Sequence, residues 1–412
     1  MSHHDQPRPT DRQLRWQDLE LGMFCHFGPN TFCDREWGEG DEPPEVFAPT
    51  DLNPSQWAAA AAEAGMRYLV FTTKHHDGFC LWPTETTDYS VRSSRWRGGR
   101  GDVVADVAEA TREEGLALGL YCSPWDRHEP TYDAEPAAYD ELFAGQWREL
   151  LTRYGPVSVV WLDGAGSKGH QYTWELIIGT IREHAPEACI HALGAPDFRW
   201  VGNEDGLAPY PCWNVVHSPE EANQSPGLLF EGFRQSFPHY LPTEADARIR
   251  ANWFWHPDDW HTLKSAERLV DMYECSVGRG TNLILNVAPD DRGLLPEPDV
   301  ARLHEMAAEI ERRYGRPVAG AAGPAEALTA ELDRAQPVNA MVAMEDLRDG
   351  ERVRQWRLLA RIAGRWQGVA VGTALGHKHI ARFATIVADA VKLEVTRSDG
   401  EPVLRRLEVF YC

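Results

Sequence analysis

Along the first three quarters of the chain, short apolar runs alternate with amphipathic stretches, and this alternation restricts the fold more than any other feature. The runs are Leu21–Phe27, Arg67–Lys74, Leu116–Cys122, Val157–Leu162, Ala188–Leu193 and Asn282–Val287, rich in β-branched and aromatic residues as buried strands are. Helical stretches fall between them: one after Asn53-Pro54, one opened by Asp102, then Ala137–Tyr154, Thr173–His184, Asp258 to about Val277, and Glu297–Tyr314. Strands separated by helices at this pitch over about 300 residues predict βα units with a parallel sheet, best met by a (β/α)8-like TIM barrel. The segment 195–250 is irregular, and strands within it are hard to place.

Near Arg316–Ala325 the composition turns to Pro, Gly and Ala, which reads as a linker. Beyond it the pattern changes to short alternating runs: Arg352–Ile362, Gly368–Gly372, Ile380–Val387, Val391–Val395 and Leu404–Tyr411. These predict a small all-β domain, a sandwich, with Trp356 and Trp366 read as core residues rather than as carbohydrate binders, and His377–His379 as a surface turn rather than a metal site. The expected division is a catalytic barrel over 1–318 and a C-terminal β-sandwich over 319–412.

Net charge of −22 argues against a nucleic-acid or anionic-membrane surface, but leaves neutral ligands open. Sixteen tryptophans give mild support to carbohydrate, since their flat rings suit sugar faces. The N-terminus has no apolar signal region, and no run reaches the ~18 apolar residues of a membrane span. Eight dispersed cysteines without CxxC spacing read as free thiols. A cytoplasmic protein is expected, and the sequon Asn223-Gln-Ser225 carries no weight.

The chemistry concentrates where strands end. His26, His75 with His76, Tyr121, and Trp161 with Asp163 all sit at strand exits, the face on which barrels keep their active sites. Alone, Asp163 before Gly164 and Gly166 reads as a turn or capping residue; four such exits on one face point to a shared site. Two enzyme classes compete. A metal-dependent hydrolase wants histidines two apart on one strand, whereas neighbours such as His75 and His76 diverge. A glycoside hydrolase needs two carboxylates, hydrogen-bonding side chains and an aromatic platform. A lectin-like protein that binds without cleaving is the non-enzyme alternative.

The strings MFCHFGPNTF (23–32), EWGEG (36–40), TTKHHDGFCLWPT (72–84), YCSPWDRHEP (121–130), VVWLDGAG (159–166), RWVGNEDG (199–206) and NLILNVAPDDRG (282–293) resemble glycoside hydrolase family 29, the α-L-fucosidases. The resemblance runs through the barrel in order. It implies a retaining mechanism with no metal or other cofactor, a fucosylated oligosaccharide as substrate, and a C-terminal β-sandwich. It makes Asp163 the nucleophile. It places His26, His75, His76 and Tyr121 on the fucose hydroxyls, Glu36 and Trp37 beside them, Trp161 against the pocket wall, and Arg199 and Trp253 as further pocket residues. Glu204 is the implied acid/base, with Glu244 its rival. The HFGPNTF and RWVGNE forms resemble the subgroup that cleaves α-1,3- and α-1,4-linked fucose from branched glycans.

Overall fold

The computed structural model describes residues 7–222, 226–235 and 237–412; the sequon at Asn223 lies outside them. Eight parallel strands form one curled sheet: β1 (Leu21–Cys25), β2 (Tyr68–Lys74), β3 (Ala117–Cys122), β4 (Val159–Trp161), β5 (Cys189–Ile190), β6 (Arg199–Trp200), then β9 (Thr243–Arg248) and β10 (Asn282–Asn286). β7 (Val215–Val216) and β8 (His239–Tyr240) make a separate antiparallel pair between β6 and β9. The sheet order is β5-β4-β3-β2-β1-β10-β9-β6. A parallel bridge between His191 and Phe198, with Ala192 N–H donating to Phe198 O at 3.0 Å, brings its two ends together. The architecture is the (β/α)8-like one that the alternation predicts, with no helix in the short β5–β6 turn and a long excursion after β6.

Local chemistry sets the helix starts. Asn53, Asp102 and Ser265 each accept the N–H of the third residue on, a cap that satisfies one orphan donor. The last of these corrects an expected boundary: the helix begins at Ala266, not Asp258, because a separate 3-10 turn takes Trp260–Thr262 and Ser265 supplies the cap. Between strands and helices lies the largest apolar core, centred on residues such as Phe47, Trp57, Trp82 and Trp147. A second cluster fills the barrel itself, with Phe24, Tyr68, Val70, Tyr121, Val159, Trp161 and Ile284 over the plug Trp16. Gly22 makes that filling possible: a Cβ there would lie 2.4 Å from the Tyr68 ring.

The C-terminal unit is a six-stranded antiparallel sheet of β11 (Ala319–Ala325), β12 (Ala327–Glu345), β13 (Val353–Ile362), β14 (Arg365–Gly372), β15 (His379–Ser398) and β16 (Leu404–Phe410). Register shifts bend the two longest strands, β12 and β15, around one core. The stretch read as a linker is strand β11: its small residues let the backbone pair with β16. Ile380–Val387 and Val391–Val395 are one strand, since a bulge rather than a turn separates them. Trp356 is a core residue, whereas Trp366 stands half-exposed under the Arg361 guanidinium. His377 and His379 are buried, not on a surface turn. His377 Nε2 lies 3.0 Å from Glu20 Oε1 at the barrel's base, and His379 stacks on Tyr210.

Buried carboxylates at the junction make stability depend on pH. Glu351 accepts the Asn214 N–H at 3.0 Å, and Glu345 accepts those of Arg352 and Val353. Burial, with Glu351 adding to it, pushes Glu345 up to about 8. A carboxyl raised in the fold stabilises it below its unfolded value and loses that contribution as pH rises through its folded value. Melting temperature is therefore expected to decline between the ordinary carboxyl value of about 4.5 and a pH of about 8. Glu345→Gln should flatten that decline in thermal melts; an unchanged slope would contradict the assignment.

Candidate active site

Side chains alternate across a strand, so the pairing register passes one inward-facing set from strand to strand. Gly22 stands opposite Tyr68 and Ile284, and Phe24 opposite Val70 and Asn286. Tyr121 pairs with Thr72 and Trp161, and β10 residues Asn282, Ile284 and Asn286 pair with Glu244, Asp246 and Arg248. Continued past the strand ends, this parity turns His26, Tyr121, Trp161, Asp163, His191, Trp200, Asp246 and Arg248 toward one mouth.

There the protein holds a cavity of about 370 Å³. Of the expected residues, His26, Glu36, Trp37, His75, His76, Tyr121, Trp161, Asp163, Glu204 and Trp253 all line it. Arg199 and Glu244 do not. Arg199 is one residue out of register: on a strand whose Trp200 faces the cavity, its guanidinium points away and donates to Trp213 O at 3.0 Å. Glu244 lies one layer below, where it accepts Trp161 Nε1–H at 2.8 Å and Tyr68 O–H at 2.7 Å. It holds the platform rather than facing the cavity. Phe24, His191, Trp200 and Asp246 also line the wall; parity along the apolar strands would have revealed Phe24 and His191, whereas the two-residue β6 and the polar β9 offer no pattern that singles out Trp200 or Asp246.

Asp163 is fixed through both oxygens. Ala165 N–H donates to Oδ1 at 2.8 Å, and Tyr121 O–H donates to Oδ2 at 3.0 Å. The turn behind it needs glycine: Gly166 has φ +70°, and a Cβ there would lie 1.9 Å from Trp125. Trp125 meets Trp37 edge-on at 5.4 Å, and Trp37, 49% exposed, forms the rim.

The histidines are neutral acceptors. Asn286 donates its amide to Trp253 O, which leaves its carbonyl oxygen for His26 Nδ1–H at 2.7 Å. His26 Nε2 is then a bare lone pair, and burial pushes this imidazole down to about 3. His76 follows the same logic: Ser123 gives its proton to Trp125 O, so His76 Nδ1–H donates to Ser123 Oγ at 2.7 Å. Its Nε2 sits 3.6 Å from Asp163 Oδ2, too long for a hydrogen bond. His191 stacks on Trp161 at 3.8 Å and is pushed down to about 4 by burial. Among the described residues, His75 Nδ1 and His191 Nε2 have no partner. A wall of lone pairs beside apolar rings suits a polyhydroxylated ligand with one apolar side.

Across the cavity, Glu204 pairs with Arg248 at 3.3 Å. Asp246 accepts the Trp200 indole N–H at 2.7 Å, and burial pushes it up to about 8, so it stays protonated at neutral pH. Glu36 accepts the Trp253 N–H with both oxygens, at 2.8 and 3.1 Å, and burial raises it. Among the described residues, no group of three or more His, Cys, Asp and Glu side chains is placed to hold a metal ion.

Residues 3–313 match the family described as Alpha-L-fucosidase. The chain is 37% identical over 448 residues to Alpha-L-fucosidase 1 of Arabidopsis thaliana, covering 98% of this chain and 87% of that protein. Among solved structures, a glycoside hydrolase 29 family member from an unknown rumen bacterium superposes with a TM-score of 0.87 at 35% identity, over 98% of this chain and 77% of that one. A Ruminococcus gnavus GH29 fucosidase in complex with fucose gives a TM-score of 0.87 at 27% identity, over 99% and 95%.

Proposed function

The chain belongs to glycoside hydrolase family 29, the α-L-fucosidases, and from that premise we propose that it hydrolyses α-L-fucosides with retention, Asp163 acting as nucleophile and Glu204 as general acid/base. The observation that carries this reading is Asp163 itself, a carboxylate fixed through both oxygens at the floor of a cavity lined by neutral histidines. A fucose bound there gives its hydroxyl protons to His26, His75 and His76, and rests an apolar side on Trp161. Asp163 attacks the anomeric carbon while Glu204 gives its proton to the departing oxygen, and a fucosyl-enzyme ester results. Glu204 then takes a proton from water, which attacks the same carbon and frees Asp163.

The linkage reading, α-1,3 and α-1,4 on branched glycans, rests on the HFGPNTF and RWVGNE strings. The half-exposed Trp37 at the rim supports it, as a surface for a second sugar. The cytoplasmic location is likewise part of this proposal; its support is that all eight cysteines are free thiols. No helix among the described residues is long and apolar enough to cross a membrane. The test is a panel of α-1,2-, α-1,3-, α-1,4- and α-1,6-fucosylated glycans, followed by NMR of the released sugar. Fucose released first as the α-anomer, fastest from the α-1,3 and α-1,4 glycans, is expected. Binding without release would overturn the catalytic reading, and a different preferred linkage would overturn the linkage reading alone.

A further inference from the structure

Glu204 sits on a loop whose backbone is well fixed. Val201 N–H donates to Glu244 O at 2.9 Å, Gly206 N–H to Asp246 O at 3.1 Å, and Asp205 bridges to Ala247, so the segment is laced along β9. Asn203 closes the turn from inside, accepting the Asp205 N–H at 3.0 Å and donating to Leu207 O at 2.9 Å. None of these bonds reaches the Glu204 side chain, which is 44% exposed. What reaches it is Arg248, at the cavity end of the inward stripe Glu244–Asp246–Arg248.

The three residues of that stripe hold the wall at three heights. Glu244 anchors Trp161, Asp246 anchors Trp200, and Arg248 meets Glu204 at 3.3 Å. The Arg248 guanidinium also lies over the Trp253 ring at 5.3 Å, while the Trp253 backbone N–H is taken by Glu36. Arg248 thus lies between the aromatic wall and the Glu204 loop. We propose that Arg248 is a positioning residue for proton transfer: it holds the Glu204 side chain toward the cavity, directed at the oxygen that leaves. This rests on Glu204 being the acid/base.

Lys264 is turned to backbone oxygens, donating to Arg248 O at 2.6 Å and Arg250 O at 3.1 Å, so Arg248 rather than Lys264 meets the Glu204 carboxyl. Removing the guanidinium leaves that side chain without a fixed direction. A pair this exposed adds little to folding stability, so the effect falls on the reaction rather than on the melt.

The test compares the full-length protein with Arg248→Met and Arg248→Lys, reading kcat/KM on a fucosylated oligosaccharide and on an aryl fucoside whose phenol departs without acid help. Arg248→Met should lose about tenfold or more on the oligosaccharide and less than about threefold on the aryl fucoside, as expected of a defect in acid assistance. Arg248→Lys should recover most of the oligosaccharide activity, and both variants should melt with the parent. Equal losses on the two substrates, or no recovery in Arg248→Lys, would overturn the proposal. Glu204→Gln separates the two claims. If it is impaired while Arg248→Met matches the parent, only the role of Arg248 falls; if it is unimpaired, the acid/base reading falls first.

Discussion

Asp163→Ala is expected to lower kcat on a fucosylated glycan on the order of 10⁴-fold, as loss of a covalent nucleophile does. The fold should survive, because the two groups that hold Asp163 have other means of satisfaction. Ala165 N–H lies in a part-buried loop and the Tyr121 hydroxyl borders the open cavity, so water can replace the carboxylate for both. The variant also leaves a space beside the anomeric carbon on the face that Asp163 occupied. Azide entering there displaces the aglycone directly, so rescue should yield β-fucosyl azide, of inverted configuration. The measurement is the product's configuration by NMR after reaction of an activated aryl fucoside with azide. Rescue that yields the α-azide would place the nucleophile elsewhere.

Glu204→Ala should behave differently in three respects. Loss of acid assistance is expected to cost about 10²–10⁴-fold on an unactivated glycan. With an aryl fucoside, formation of the fucosyl-enzyme proceeds and its hydrolysis becomes slow, so the first turnover appears as a burst. Azide then attacks the trapped intermediate from the side the aglycone left, and the product is α-fucosyl azide, of retained configuration. The neighbouring carboxyls provide the contrast. Glu244 has both oxygens occupied by Trp161 and Tyr68 beneath the wall. Its removal orphans two buried donors and should destabilise the protein by about 2–4 kcal/mol, without retained-azide rescue. A retained azide from a Glu244 variant, with Glu204→Ala fully active, would transfer the role to Glu244.

Most of the barrel was legible because most of its strands are written in apolar residues and several of its helices carry side-chain caps. The strand that carries the partner of the proposed acid/base was not. β9 reads Thr-Glu-Ala-Asp-Ala-Arg, polar at every inward position, yet its first five residues are buried. Its polar groups are satisfied by Trp161, Tyr68 and Trp200 from other strands and by Glu204 from a loop, partners that no local pattern reveals. β6 failed for a related reason: with two residues it offers no alternation, so nothing in the sequence chose Trp200 over Arg199 as the inward side chain. The strand Ala319–Ala325 was hidden by composition, since Gly, Ala and Pro read as a linker although their backbone pairs along β16. Asp163 and the histidines were accessible because strand exits are themselves a sequence signal.

Retaining hydrolysis requires a covalent bond from Asp163 to the sugar. A 2-fluoro-fucosyl fluoride, whose fluorine slows release of the intermediate more than its formation, traps that bond for peptide mass spectrometry. A single fucosyl adduct is expected on the peptide that spans Val159–Gly166, carried by Asp163 and absent from Asp163→Ala. An adduct on Glu204, Asp246 or Glu36 instead, or turnover that releases β-fucose first with no adduct at all, would contradict it.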